Sequence, residues 1–207
     1  MGESTSIITD LTTLERLYGA PSEASIVKEV NHIHPIYRKL IEASPFAVLA
    51  TSGPGGLDAS PRGDGPGFVL VGDEKTLLLP DRRGNNRTDT LRNIIGDPRV
   101  ALLFLIPGIG ETLRVNGRAS ISIEPALLQR FAVEGKEPRS VLVIAVETVY
   151  FQCSRAVVRA DLWNPEKYAS RAALPSTGAI LAALSNARLG GESYDRALPE
   201  RVKATLY

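Results

Sequence analysis

Residues 112–123 constrain the fold of this chain most. Leu113, Val115, Ala119, Ile121 and Ile123 alternate with Thr112, Arg114, Asn116, Arg118, Ser120 and Ser122. A period of two is the signature of a strand with one face in a core and the other outside it. On its own, the polar row Thr112, Arg114, Asn116 and Arg118 reads as a solvated sheet face. The chain around this run has a hairpin cadence. Phe46–Thr51 is a short apolar run that ends at Gly53-Pro54-Gly55-Gly56, and Leu57–Pro61 resumes as its pairing strand. Phe68–Val71 and Thr76–Leu79 flank the turn Gly72-Asp73-Glu74. Val100–Ile106 is apolar on both faces, as a strand covered on both sides would be. Ser140–Cys153 is a long run of mostly β-branched residues, and Val157–Leu162 is expected to extend the sheet.

Helical signals lie mainly at the ends. Thr9 or Asp10 can cap a helix carrying Leu11, Leu14 and Leu17, which Gly19-Ala20-Pro21 stops. A second helix is expected over Pro35–Ala43, ended by Ser44-Pro45. Inside the strand region, Leu91, Ile94 and Ile95 have helical spacing, and so do Leu127, Leu128 and Phe131 within Glu124–Glu134. Ala179–Ala187 and Tyr194–Leu206 read as closing helices. The expected class is mainly β with peripheral helices: a small antiparallel barrel of six or seven strands. The expected organisation is one domain over 1–207. It comprises a helical arm at 1–43, a barrel core at 44–165 and a helical extension at 166–207.

The chemistry concentrates in Leu77-Leu78-Leu79-Pro80-Asp81-Arg82-Arg83-Gly84-Asn85-Asn86-Arg87. An apolar strand breaks at Pro80 and gives three arginines, two asparagines and a glycine before a helix begins. A helix N-terminus offers free N–H groups and a partial positive charge, and arginines beside it suit a phosphate or another anion. The pattern is neither a P-loop nor GxGxxG.

Charge and composition exclude other classes. The net charge of +1 gives no support for a protein devoted to nucleic acid or acidic membranes. One cysteine, Cys153, excludes an internal disulfide and a cysteine-based zinc site. His32 and His34 are the two histidines, with no cluster of carboxylates around them. No metal site and no catalytic side-chain set is expected. Without a signal-like or spanning segment, a cytoplasmic setting is the expectation.

Taken in order, several pieces resemble the FMN-binding split barrel of pyridoxamine 5′-phosphate oxidase-like proteins. They are Ser44-Pro45-Phe46, Asp58-Ala59-Ser60-Pro61-Arg62-Gly63-Asp64, Leu79-Pro80-Asp81-Arg82 with Gly84-Asn85-Asn86-Arg87, Asp97-Pro98-Arg99-Val100, and Glu111–Ala119. The resemblance covers roughly residues 44–165. It implies a homodimer with FMN in clefts between subunits and a small-molecule substrate. The Leu79-Pro80-Asp81 backbone would edge the flavin. Arg62 and Arg87 would clamp its phosphate, with Ser60, Asn85 and Asn86 adding hydrogen bonds. Thr112, and Arg114 or Asn116 beside it, would reach the flavin from the second subunit, and Trp163 would close the site. Plainer roles are a turn cap for Asp81, solvated positions for Arg82 and Arg83, and core packing for Trp163. The chain lacks the longer basic motif and the arginine–histidine segment of true pyridoxamine phosphate oxidases, so the resemblance points to FMN more than to a vitamin B6 substrate. Further expectations on the same fold are a deazaflavin reductase and a non-catalytic flavin or heme carrier or sensor.

Overall fold

The computed structural model describes residues 7–207; the first six residues of the expected arm lie outside the described residues. Among the described residues seven strands form one antiparallel sheet: β1 (Phe46–Gly53), β2 (Gly56–Gly63), β3 (Leu70–Asp73), β4 (Thr76–Asp81), β5 (Arg99–Leu105), β6 (Thr112–Ser122) and β7 (Ser140–Gln152). The order across the sheet is β2-β1-β5-β6-β7-β4-β3. The chain is a mainly β split barrel with peripheral helices.

Alternation fixes which side of each strand is core. On β6, Leu113, Val115 and Ala119 are buried while Thr112, Arg114 and Asn116 are half-buried on the other face. On β5, Val100, Leu102 and Phe104 point into the core. Ala101, Leu103 and Leu105, on the opposite face, are only half-buried. The strand read as apolar on both faces therefore has one of them covered within this chain. Leu49, Leu77, Leu79, Leu142 and Ile144 complete the interior.

β4 corrects one expectation. The strand does not break at Pro80 but continues to Asp81, pairing Pro80 with Val141 and Asp81 with Ser140 on β7. Its other neighbour, β3, pairs no further along than Leu78. Beyond that point β4 is an edge strand, where a residue without an N–H breaks no second ladder.

Among the described residues, eight α-helices surround the sheet. In the arm, α1 (Leu11–Tyr18) is capped by Asp10, which accepts from the Thr13 N–H at 2.8 Å. α2 (Glu23–Val27) is a short turn that the hydrophobic spacing did not show. α3 (Pro35–Ala43) is capped by His34 and buries Tyr37 and Ile41. At its end the buried Ser44 hydroxyl bonds the carbonyls of Phe46 and Leu105, both at 2.7 Å, tying the arm to β1 and β5. α4 (Asp89–Gly96) packs against β1, β2 and β6, and α5 (Pro125–Arg130) lies beside β7. α6 (Arg155–Arg159) stands where Val157–Leu162 was expected to add a strand. Only Val157 and Val158 of that segment are β-branched, Val158 is exposed, and neither has a strand partner, so nothing offsets the local helical turn. α7 (Thr177–Leu184) and α8 (Glu192–Ala204) pack on each other.

Candidate functional site

The ends of the sheet meet across a cleft instead of through backbone pairing. Ser60, Pro61 and Arg62 of β2 form one wall. Pro80 and Asp81 of β4 form the other, and the turn 82–88 runs into α4 beneath them. Together with residues after β2 and before β7 they enclose about 780 Å³, a volume typical of small-molecule sites.

One ion pair closes the split. Arg62 Nη1 donates to Asp81 Oδ1 at 2.5 Å, and each side chain is about five-sixths buried, with 16% and 17% exposed. A second pair runs parallel to it. Arg82 Nε donates to Asp64 Oδ2 at 3.1 Å, and Arg82 Nη1 donates to the Phe131 carbonyl at 2.7 Å. Burial pushes the Asp64 carboxyl up. The Tyr207 hydroxyl, the Gly65 N–H and the Arg82 charge outweigh that and hold it below its ordinary value. Asp81 and Arg82 thus serve as pairing partners across the cleft, not as a turn cap or a solvated group.

The turn is organised for donors. Asn86 sits at φ 62°, a left-handed conformation that asparagine tolerates better than most residues. Asn85 Oδ1 accepts from the Arg87 N–H at 2.9 Å, and Asn86 Oδ1 accepts from Arg139 Nη1 at 2.8 Å. Both amide oxygens are used inside the site, which leaves the amide N–H groups for a ligand. Thr88 makes no side-chain cap bond to α4, so the first-turn N–H groups of that helix remain available to an anion. Arg87 pairs with Asp89 on the surface, 77% exposed. Arg62 lines the cleft, but its Nε is buried from solvent and has no hydrogen-bond partner, which costs free energy in the fold.

The structure brings Ser60, Arg62, Pro80, Asp81, Asn85, Asn86 and Arg87 around one cavity. Leu79 does not join them; its side chain is fully buried in the core. Thr112, Arg114 and Asn116 lie on the outer sheet face, away from the cavity lining. There Arg114 Nη1 donates to the Tyr150 hydroxyl at 2.7 Å. The Gln152 amide, turned so that its oxygen faces the guanidinium, accepts from Arg114 Nη2 at 2.7 Å. Trp163 is outside the cavity too, and its Nε1 donates to the Ile109 carbonyl at 2.8 Å. Arg139, Ser140 and Tyr207 line the cavity without having stood out in the sequence, and Asp64 joins them from the Asp58–Asp64 motif, where it had no assigned role. Arg139 carried a usable signal, as a basic residue at the start of a long strand. Tyr207 carried none.

The fold and cleft define a split-barrel protein with a polar, arginine-lined cavity. The model of the pyridoxamine 5′-phosphate oxidase family matches residues 33–153. That is more than half of the chain, and the protein belongs to this family. No curated protein matches it significantly. Solved structures with a similar fold include HupZ from Group A Streptococcus, 21% identical, covering 59% of this chain and 95% of that one, with a TM-score of 0.49. A Clostridium acetobutylicum protein related to general stress protein 26, of the pyridoxinephosphate oxidase family, is 15% identical. The match covers 56% of this chain and 84% of that one, with a TM-score of 0.43. A FAD-binding protein from Mesorhizobium loti is 17% identical over 55% of this chain and 87% of its own, with a TM-score of 0.40.

Proposed function

We propose that the cleft binds FMN and that the protein is an FMN-dependent oxidoreductase acting on a small molecule. The observation that carries this reading is the cleft itself: the turn Asn85-Asn86-Arg87 and the uncapped start of α4 line one cavity in a member of this family. The donor set fits a phosphate. Arg87, the amide N–H groups of Asn85 and Asn86, and the first turn of α4 would hold it, with the charge of Arg62 at the cavity wall. Pro80 and Asp81 would border the ring. When bound, FMN supplies the redox chemistry, and the chain supplies binding, orientation and electrostatics.

The reading includes a homodimer. The half-buried row Ala101, Leu103 and Leu105 on β5 continues through Val48 and Ala50 on β1. Such a face gains by meeting a second copy of itself. Thr112, Arg114 and Asn116 share that face and would reach the partner's cleft. There Arg114, braced by Tyr150 and Gln152, would place positive charge near the flavin ring and stabilise its reduced form. Arg114→Ala should then lower the flavin's reduction potential and leave phosphate anchoring intact. Trp163 would lie near the same end. In this reading residues 44–165 carry most of the site, flanked by an arm at 1–43 and an extension at 166–207. A cytoplasmic setting fits a chain with a single cysteine; no helix among the described residues is long and apolar enough to cross a membrane.

The absorption spectrum of the purified protein, with and without added FMN, tests the reading. Flavin bands at roughly 370 and 450 nm that shift on binding are expected. A Soret band would move the protein to the heme carriers, and a chain that leaves the FMN spectrum unchanged would contradict the proposal.

A further inference from the structure

The segment that follows α8 returns to the cleft and bears on how a ligand is held there. Tyr207 lines the main cavity and also a neighbouring basic recess of about 290 Å³ formed with Arg82, Arg83, Lys136 and Arg139. Its hydroxyl donates to Asp64 Oδ1 at 2.7 Å, across 143 positions of sequence. The Arg82 guanidinium carbon lies 5.2 Å from the centre of its ring, within cation–π range. Asp64 accepts from Arg82 at the same time. One carboxylate on the β2–β3 loop therefore joins an arginine at the exit of β4 to a tyrosine beyond α8.

The path that delivers Tyr207 is braced. Asp195 of α8 accepts from the Ser176 hydroxyl at 2.5 Å and from the Gly178 N–H at 2.7 Å. Gly190 lies against Gly178, where a Cβ would sit 2.3 Å from the Gly178 carbonyl oxygen. Arg201 stacks over the Tyr194 ring at 4.2 Å. With Tyr207 in place the cavity still measures about 780 Å³. The tyrosine is thus a wall of the cleft and not its occupant.

We propose that Tyr207 is a binding residue of the cleft, a clasp between the β2–β3 loop and the exit of β4 that slows release of the bound cofactor. This rests on the FMN reading above. A clasp that coexists with its ligand acts mainly on departure. The test follows recovery of free-flavin fluorescence after rapid dilution of FMN-loaded protein. Tyr207→Ala should release FMN roughly tenfold faster than wild type, and Tyr207→Phe roughly threefold faster, because it keeps the ring and loses the bond to a charged acceptor. In the ligand-free protein, amide hydrogen exchange over residues 63–67 should quicken in both variants. Wild type that holds FMN while both variants release it at the wild-type rate would overturn the clasp and leave the FMN reading standing. Wild type that binds no FMN would overturn the FMN reading first, and the clasp with it.

Discussion

Two sets of arginines ring the cleft and are held in opposite ways. Arg62 and Arg82 are largely buried, each locked to a carboxylate across the split, Asp81 and Asp64. Arg83, Arg87 and Arg139 stand at the exposed rim. Arg87 has only a surface partner in Asp89, and Arg139 has a neutral one in Asn86. The first set closes a barrel that its backbone leaves open. The second keeps its positive charge available. Residue type alone does not separate these roles; the carboxylates brought opposite by the fold do. What reads as one basic turn divides into a paired, buried arginine and an exposed basic rim.

Removing a clamp residue should have the largest effect. Arg62→Ala strands Asp81, and unpairing a buried charge costs about 3 kcal/mol or somewhat more. Urea unfolding of the ligand-free protein should show a loss on that scale. A loss near zero would place Arg62 in the rim set. A mid-sized effect concerns the outer sheet face. At micromolar concentration, light scattering should give about twice the 22.3 kDa chain mass. Leu103→Glu should bring it to the monomer by burying a charge in the interface, and an unchanged mass would remove the shared-site reading.

The smallest effect is a pH dependence. The Asp64 carboxyl lies below its ordinary value in the fold. Its contribution to stability is therefore present above about pH 4 and lost as pH falls through the folded value. The Tyr207 hydroxyl is raised above 10.0, first by its bond to Asp64 and then by burial. Its contribution is present below about pH 10 and lost as pH rises through the folded value. The stability gap between wild type and Tyr207→Phe should be constant near neutrality and shrink toward pH 3. A gap independent of pH across that range would mean the hydroxyl does not rely on the Asp64 charge.

Much of the fold was legible because local rules decide it. Alternation along 112–123, the glycine-rich turn after Thr51 and the cap at Asp10 each depend on neighbours within a few residues. Pro80 misled because its tolerance depends on β3 ending opposite Leu78, a fact of assembly. Val157–Leu162 misled because two adjacent valines carry little strand preference where no cross-strand neighbour packs on them. Of the site, the turn at 85–87 was readable as a dense cluster of donors. The division between clamp and rim was not, since Asp64 meets Arg82 across 18 positions and Tyr207 across 143. Contacts of that separation leave no periodicity to read.

The central claim is that the rim recognises a phosphate. Titration of FMN and of riboflavin, which lacks that phosphate, into wild type and Arg87→Ala tests it most directly. Wild type should bind FMN more tightly than riboflavin. Arg87→Ala should weaken FMN by roughly 1.5–3 kcal/mol, the scale of a charge-assisted hydrogen bond. Riboflavin should bind the two proteins equally, and their unfolding midpoints should agree, because the exposed pair with Asp89 adds little stability. Equal loss of FMN and riboflavin in Arg87→Ala, or no loss of either, would contradict the account.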